Sequence, residues 1–158
     1  MQASDEWEYV GFWWRSLAYS IDAVLITVVM VGFGYLIYGP DYFSIPENGE
    51  FPIRGPADLL LTYVLPPVAI IGFWVWRGAT PGKMAIGARI VCASDGTPRA
   101  SGRCIGRYFA YFVSMIPLGL GFLWIAFDAH KQGWHDKLAG TAVVRARRNP
   151  AAPPARTP

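Results

Sequence analysis

The chain has 158 residues, enough for one domain of ordinary size. Hydrophobic residues make up 53% and charged residues only 16%, against about 25% charge in a typical soluble domain, so a water-soluble globule and an intrinsically disordered chain are both excluded, the ends apart. Two cysteines, Cys92 and Cys104, build neither a disulfide framework nor a CxxC metal site, and they are expected to be reduced cytoplasmic thiols.

From the N-terminus, Asp5, Glu6 and Glu8 stand where a cleavable signal would carry a basic region, so the first apolar stretch is expected to stay as a membrane helix. Trp7, Tyr9, Phe12, Trp13 and Trp14 lead into it and suit the membrane interface, where amphipathic rings are favoured. Residues 17–38 then run apolar with one charge, Asp22; residues 59–76 and 108–127 carry none. About 20 apolar residues cross the roughly 30 Å hydrocarbon layer, so all three stretches reach or approach that length. Trp74 and Trp76 mark the end of the second.

Between the second and third stretches, 88–93 (ARIVCA) has strand character and Asp95-Gly96 is a turn signal. A short hairpin and an interfacial helix over 82–90 are the two alternatives there. The Pro- and Ala-rich tail 149–158 is expected to be disordered, leaving 1–148 as the membrane domain.

Lys and Arg counts set the orientation. Segments 1–16 and 39–58 hold one each, Arg15 and Arg54. Segment 77–107 holds six, and so does 128–158. The 39–58 loop is therefore predicted outside, with the N-terminus and the 77–107 loop cytoplasmic. A third full span would then carry the basic C-terminal segment outside. Its middle reads Pro117-Leu118-Gly119-Leu120-Gly121, where proline and glycine break a helix. A re-entrant pair, one helix near 101–116 and another near 119–130, returns the chain to the cytoplasm; a single tilted span is the alternative. The fold class is accordingly an all-α membrane protein: two transmembrane helices plus a third hydrophobic segment that is re-entrant or spanning. Small residues at Gly102, Gly106, Ala110 and Ser114 read as a helix-packing stripe.

Asp22 is the informative residue, about five positions inside the first apolar stretch and on the order of 8 Å from its start. A carboxylate there is costly and usually faces a partner or a water-filled cavity. Arg15, two turns back on the same helix face, can reach toward it. Arg107 and Asp128 fall at the same cytoplasmic depth. The cluster reads either as a buried ion-pair network that orients helices or as an ion or proton site in which a cation exchanges with arginine for the carboxylate.

Three blocks in order, GFWWRSLAYSID at 11–22, TPGKMAIGARIV at 80–91 and FDAHKQGWHDKLAGTAVV at 127–144, resemble the RDD family of small prokaryotic membrane proteins. The resemblance, over roughly 9–145, implies that Arg15 and Asp22 take the first two roles of the arginine and two aspartates behind the family's name. The second aspartate is then Asp128 or Asp136. It further implies a transporter, some family members being linked to cation/proton exchange.

Other motifs carry less. Gly82-Lys83 fails the phosphate-loop spacing and reads as a turn with Lys83 at the headgroups. His130 and His135, five apart, match no common zinc pattern. Nothing points to an enzyme, a cofactor, a metal or nucleic acid. The expected function is a cation/proton transporter subunit of the plasma membrane using Arg15, Asp22, Arg107 and Asp128 or Asp136, with a monovalent cation or proton as ligand. Anionic lipid at the cytoplasmic face and a second copy of the chain are the expected partners, because so few membrane segments suit a homo-oligomer. The alternative is a non-transporting membrane scaffold or assembly partner.

Overall fold

The structure, a computed structural model, describes residues 7–44, 53–98 and 101–147. The elements run β1 (Trp7–Tyr9), α1 (Phe12–Tyr38), α2 (Pro56–Leu59), α3 (Leu65–Arg77), α4 (Pro81–Ala85), β2 (Ala88–Cys92), α5 (Ser101–Met115), α6 (Leu120–Phe127), α7 (Trp134–Ala139) and β3 (Thr141–Ala146). The predicted tail 149–158 and the acidic residues 5 and 6 lie outside the described residues.

Two helices are long and apolar enough to cross a membrane. The first continues from α1 through a 3-10 turn to Phe43, 32 residues in all, and the second spans Pro56–Arg77, 22 residues. The second is continuous although Pro66 and Pro67 lack the N–H groups that would bond to Thr62 and Tyr63. The helix answers by widening to a π turn over Leu60–Val64, with Leu65 N–H reaching Leu60 O. Along α1 the side chains of Val24, Val28, Phe33 and Leu36 are exposed, an arrangement that water penalises and hydrocarbon does not.

The third apolar stretch is not one straight helix. α5 and α6 meet at 100° across Pro117–Gly119. There Leu118 and Gly119 both take positive φ, 53° and 80°; glycine does so freely, while Leu118, almost fully exposed, carries the local Cβ–carbonyl cost of about 1–2 kcal/mol.

The chain is mostly helical but not all-α, which corrects the expected fold class. A three-stranded antiparallel sheet in the order β1-β3-β2 joins three segments far apart in sequence. Glu8 faces Arg145 in its register and pairs with it at 2.5 Å; Ile90 faces Val143. The reading of 82–90 as one interfacial helix gives way to helix α4 followed by strand β2. The Asp95-Gly96 turn forms as predicted, with Cys92 N–H on Thr97 O at 2.9 Å, but β2 finds its main partner in β3. Trp7 and Tyr9, expected to lead a membrane helix, belong to β1. Val10, Trp74, Ala88, Ile90, Cys104 and Val143 form the core between the sheet, α3 and α5.

Candidate functional site

Three charged side chains from distant elements meet beneath the sheet. Arg15 stands in the first turn of α1, Arg107 in the middle of α5 and Asp136 in the first turn of α7, all at most 1% exposed. Asp136 Oδ2 pairs with Arg15 Nη1 and accepts the Gly133 N–H at 3.1 Å. Its other oxygen lies 2.6 Å from Arg107 Nη1. Arg15 is used on every nitrogen, donating also to Val10 O at 2.9 Å and Lys131 O at 2.6 Å. Arg107 Nη1 donates to Thr141 Oγ1 at 2.8 Å. The carboxylate thus ties the first turn of α1 and the middle of α5 to the start of α7.

Local sequence explains the placement. Gly133 precedes α7, and an acid three residues later can return to its N–H, as Asp136 does. His135, beside it, packs on the rings of Tyr111 and Phe122 at 4.3 and 5.0 Å. Its backbone N–H donates to Ser114 Oγ at 3.0 Å. Burial pushes the His135 pKa down to about 3, with Asp136 opposing. Burial also works to raise the Asp136 pKa, yet the Arg107 and Arg15 guanidiniums outweigh it and hold the carboxyl well below the usual carboxylate range.

Asp22 has a different office. Its carboxylate accepts the Thr80 hydroxyl at 2.5 Å and the Gly82 N–H at 2.7 Å, clasping the start of α4 to α1. It also borders a cavity of about 310 Å3 between α1 and α3, walled by Leu25, Leu65, Ala69 and Phe73. Lys83, the next residue of α4, is 1% exposed rather than at the headgroups. Its Nζ lies 4.5 Å from the Tyr19 ring and 5.7 Å from the Trp74 ring, without a hydrogen-bond partner among the described residues.

Of the five predicted site residues, Arg15, Arg107 and Asp136 come together. Arg15 meets Asp136, not Asp22, because the α7 carboxylate reaches it from across the fold while Asp22 is engaged by α4. Asp128 pairs with Lys137 and accepts the His130 and Gln132 N–H groups, both at 3.1 Å. It shapes the loop after α6, outside the buried cluster. The small-residue stripe is divided: Ala110 and Ser114 are buried, Gly102 and Gly106 exposed. Tyr19, Lys83, Thr80, Ser114 and His135 join the polar interior without having been singled out as site residues. Among the described residues no group of three or more His, Cys, Asp or Glu could hold a metal.

The model of the RDD family matches residues 9–140. Among curated proteins, the chain is 32% identical over 148 residues to the uncharacterized protein YxaI of Bacillus subtilis, covering 85% of this chain and 95% of that one. It is 36% identical over 75 residues to the uncharacterized protein RP437 of Rickettsia prowazekii, 48% of this chain and 41% of that one. It is 29% identical over 134 residues to a proline-rich antigen homolog of Mycobacterium tuberculosis, 74% of this chain and 55% of that one. The last two relatives are therefore much longer than the part they share. No solved structure matches.

Proposed function

The chain belongs to the RDD family, and from that premise we propose a multi-pass plasma-membrane protein whose Arg15–Asp136–Arg107 network is a structural tie, so that it serves as a membrane scaffold or assembly partner. The single observation that carries this reading is the state of Asp136. Oδ2 is hydrogen-bonded by Arg15 and Oδ1 lies at ion-pair distance from Arg107, and a cation would have to displace two buried arginines to reach the carboxylate.

The proposed topology has two spans, Phe12–Phe43 and Pro56–Arg77, and a re-entrant α5–α6 pair. What supports it is the sheet. β1 precedes the first span, β2 follows the second and β3 follows α6, yet all three are hydrogen-bonded together. A bilayer cannot run between paired strands, so all three lie on one side, and the basic 77–107 and 128–158 segments make that side cytoplasmic. The same face carries guanidiniums over indole rings: Arg89 on Trp7 at 3.9 Å, Arg77 on Trp76 at 4.5 Å and Arg145 on Trp14 at 4.6 Å. Cations held among interfacial aromatics suit anionic headgroups. Self-association uses the open face of α5 at Gly102 and Gly106, where an added Cβ would meet nothing within 4 Å. No catalysis and no cofactor enter this reading.

A second reading, cation/proton transport, is favoured by one observation: Asp22 borders the cavity between the two long helices. Ion-driven pH change in proteoliposomes separates the two. Native protein and Asp22→Asn are expected to give the flux of empty liposomes. A native flux that Asp22→Asn abolishes, with fold and oligomeric state intact, overturns the scaffold reading and establishes transport at Asp22.

A further inference from the structure

A larger cavity, about 630 Å3, opens on the flank of the helices between α1, α3, α5 and α6. That volume lies within the range of roughly 300–1,000 Å3 typical of small-ligand sites. Its walls include Phe12, Ile70, Phe112 and Phe122, and Phe112 at its lip is 55% exposed, so it is entered from the apolar side. Polar groups in its lining are few, and two of them are the hydroxyls of Tyr19 and Tyr111, 2.8 Å apart.

The electrostatics behind that tyrosine pair are one-sided. The Lys83 ammonium lies over the Tyr19 ring at 4.5 Å, and Arg107 Nε lies 3.5 Å from the Tyr111 hydroxyl oxygen. Lys83 Nζ and Arg107 Nη2 are both buried and without hydrogen-bond partners among the described residues. Among the described residues of this interior three cations, Arg15, Arg107 and Lys83, face two carboxylates, Asp22 and Asp136. A buried unpaired donor or charge is costly, and a positive surplus behind a cavity favours a negative occupant. The tyrosine pair supplies the means. Whichever phenol donates to the other, one of the two O–H protons remains uncommitted among the described residues.

We infer that this cavity binds a single-chain amphiphile with an acidic head, a long-chain carboxylate, its head on the Tyr19–Tyr111 hydroxyls against the Lys83 and Arg107 charges and its tail along Ile70, Phe112 and Phe122. The carboxylate accepts the free phenol proton as a hydrogen bond and the alkyl chain replaces lipid on an already apolar wall. No bond is made or broken. The inference is independent of whether the protein moves ions.

The full-length protein in nonionic detergent, titrated with oleate, oleyl alcohol or dioleoyl phosphatidic acid and followed by native mass spectrometry, tests it. One oleate per chain is expected, bound at least tenfold more tightly than the alcohol. Tyr19→Phe and Tyr111→Phe each keep the ring and are expected to weaken oleate severalfold while leaving the alcohol unchanged. Lys83→Met is expected to do the same if it folds, and the two phenylalanine variants decide the matter if it does not. Equal binding of oleate and alcohol, oleate affinity unchanged in both phenylalanine variants, or displacement of oleate by lower concentrations of phosphatidic acid would each overturn it.

Discussion

At the scale of single residues, the polar interior is organised by two carboxylates with separate tasks, and their surroundings make separate predictions. Gly82 comes so close to α1 that an added Cβ would press on the Ala18 carbonyl and lie 2.9 Å from Asp22 Cγ. Gly82→Ala is expected to destabilise the protein by about 1–3 kcal/mol, the usual cost of overpacking, as a lower midpoint of thermal unfolding in detergent. His135 gives a pH dependence. Its pKa falls from an ordinary 6.5 to about 3 on folding, so between those values the unfolded chain binds the extra proton and stability drops as pH falls. From pH 7 to pH 5 the loss is about 2 kcal/mol, and His135→Gln is expected to flatten that slope in unfolding measured against pH. The sequence marks Asp22 as the costly charge and offers Arg15 as its partner, whereas in the structure both are buried and Arg15 pairs with Asp136. Helix periodicity places two residues on one face and says nothing of a carboxylate 121 positions away. The choice between Asp128 and Asp136 had no local signal either; what distinguishes them is that α7 turns Asp136 inward onto both arginines while Asp128 remains with Lys137.

At the scale of elements, the helices were legible because membrane-crossing length is a strong constraint and Pro117 with Gly119 breaks the third stretch where the bend occurs. The sheet was not. β1 has three residues and β3 borrows its meaning from neighbours 49 and more positions away, so no periodicity within either segment announces it; only β2 carried readable strand character. Because β3 is the central strand, its backbone is bonded on both sides. Val144→Pro removes a ladder donor and forces the ring into that ladder. Loss of more than about 3 kcal/mol is expected, read as loss of the cooperative unfolding transition. The same pairing supports the proposed topology. Reporters fused before Trp7 and after Arg147 are both expected to give a cytoplasmic signal, and an external signal from the second would break the re-entrant arrangement.

At the scale of the whole molecule, the sheet, α4 and α7 form a cap at one end of the two long helices, and the cap is joined to the helices both by the core around Trp74, Ile90 and Val143 and by buried ionic contacts. Arg15 anchors the first helix to it, Arg107 the bent pair, and Asp136 holds both. A buried pair of this kind adds little over a well-packed apolar substitute, yet removing one partner leaves uncompensated charge and costs about 3–5 kcal/mol. Asp22 lies in a milder setting, held by a hydroxyl and one N–H, and an asparagine there still accepts one of the two. The most direct measurement is the unfolding free energy of Asp136→Asn beside that of Asp22→Asn, in the same detergent. The account predicts a loss of about 3–5 kcal/mol for Asp136→Asn and a clearly smaller one for Asp22→Asn. Asp136→Asn unfolding at the native midpoint would contradict it.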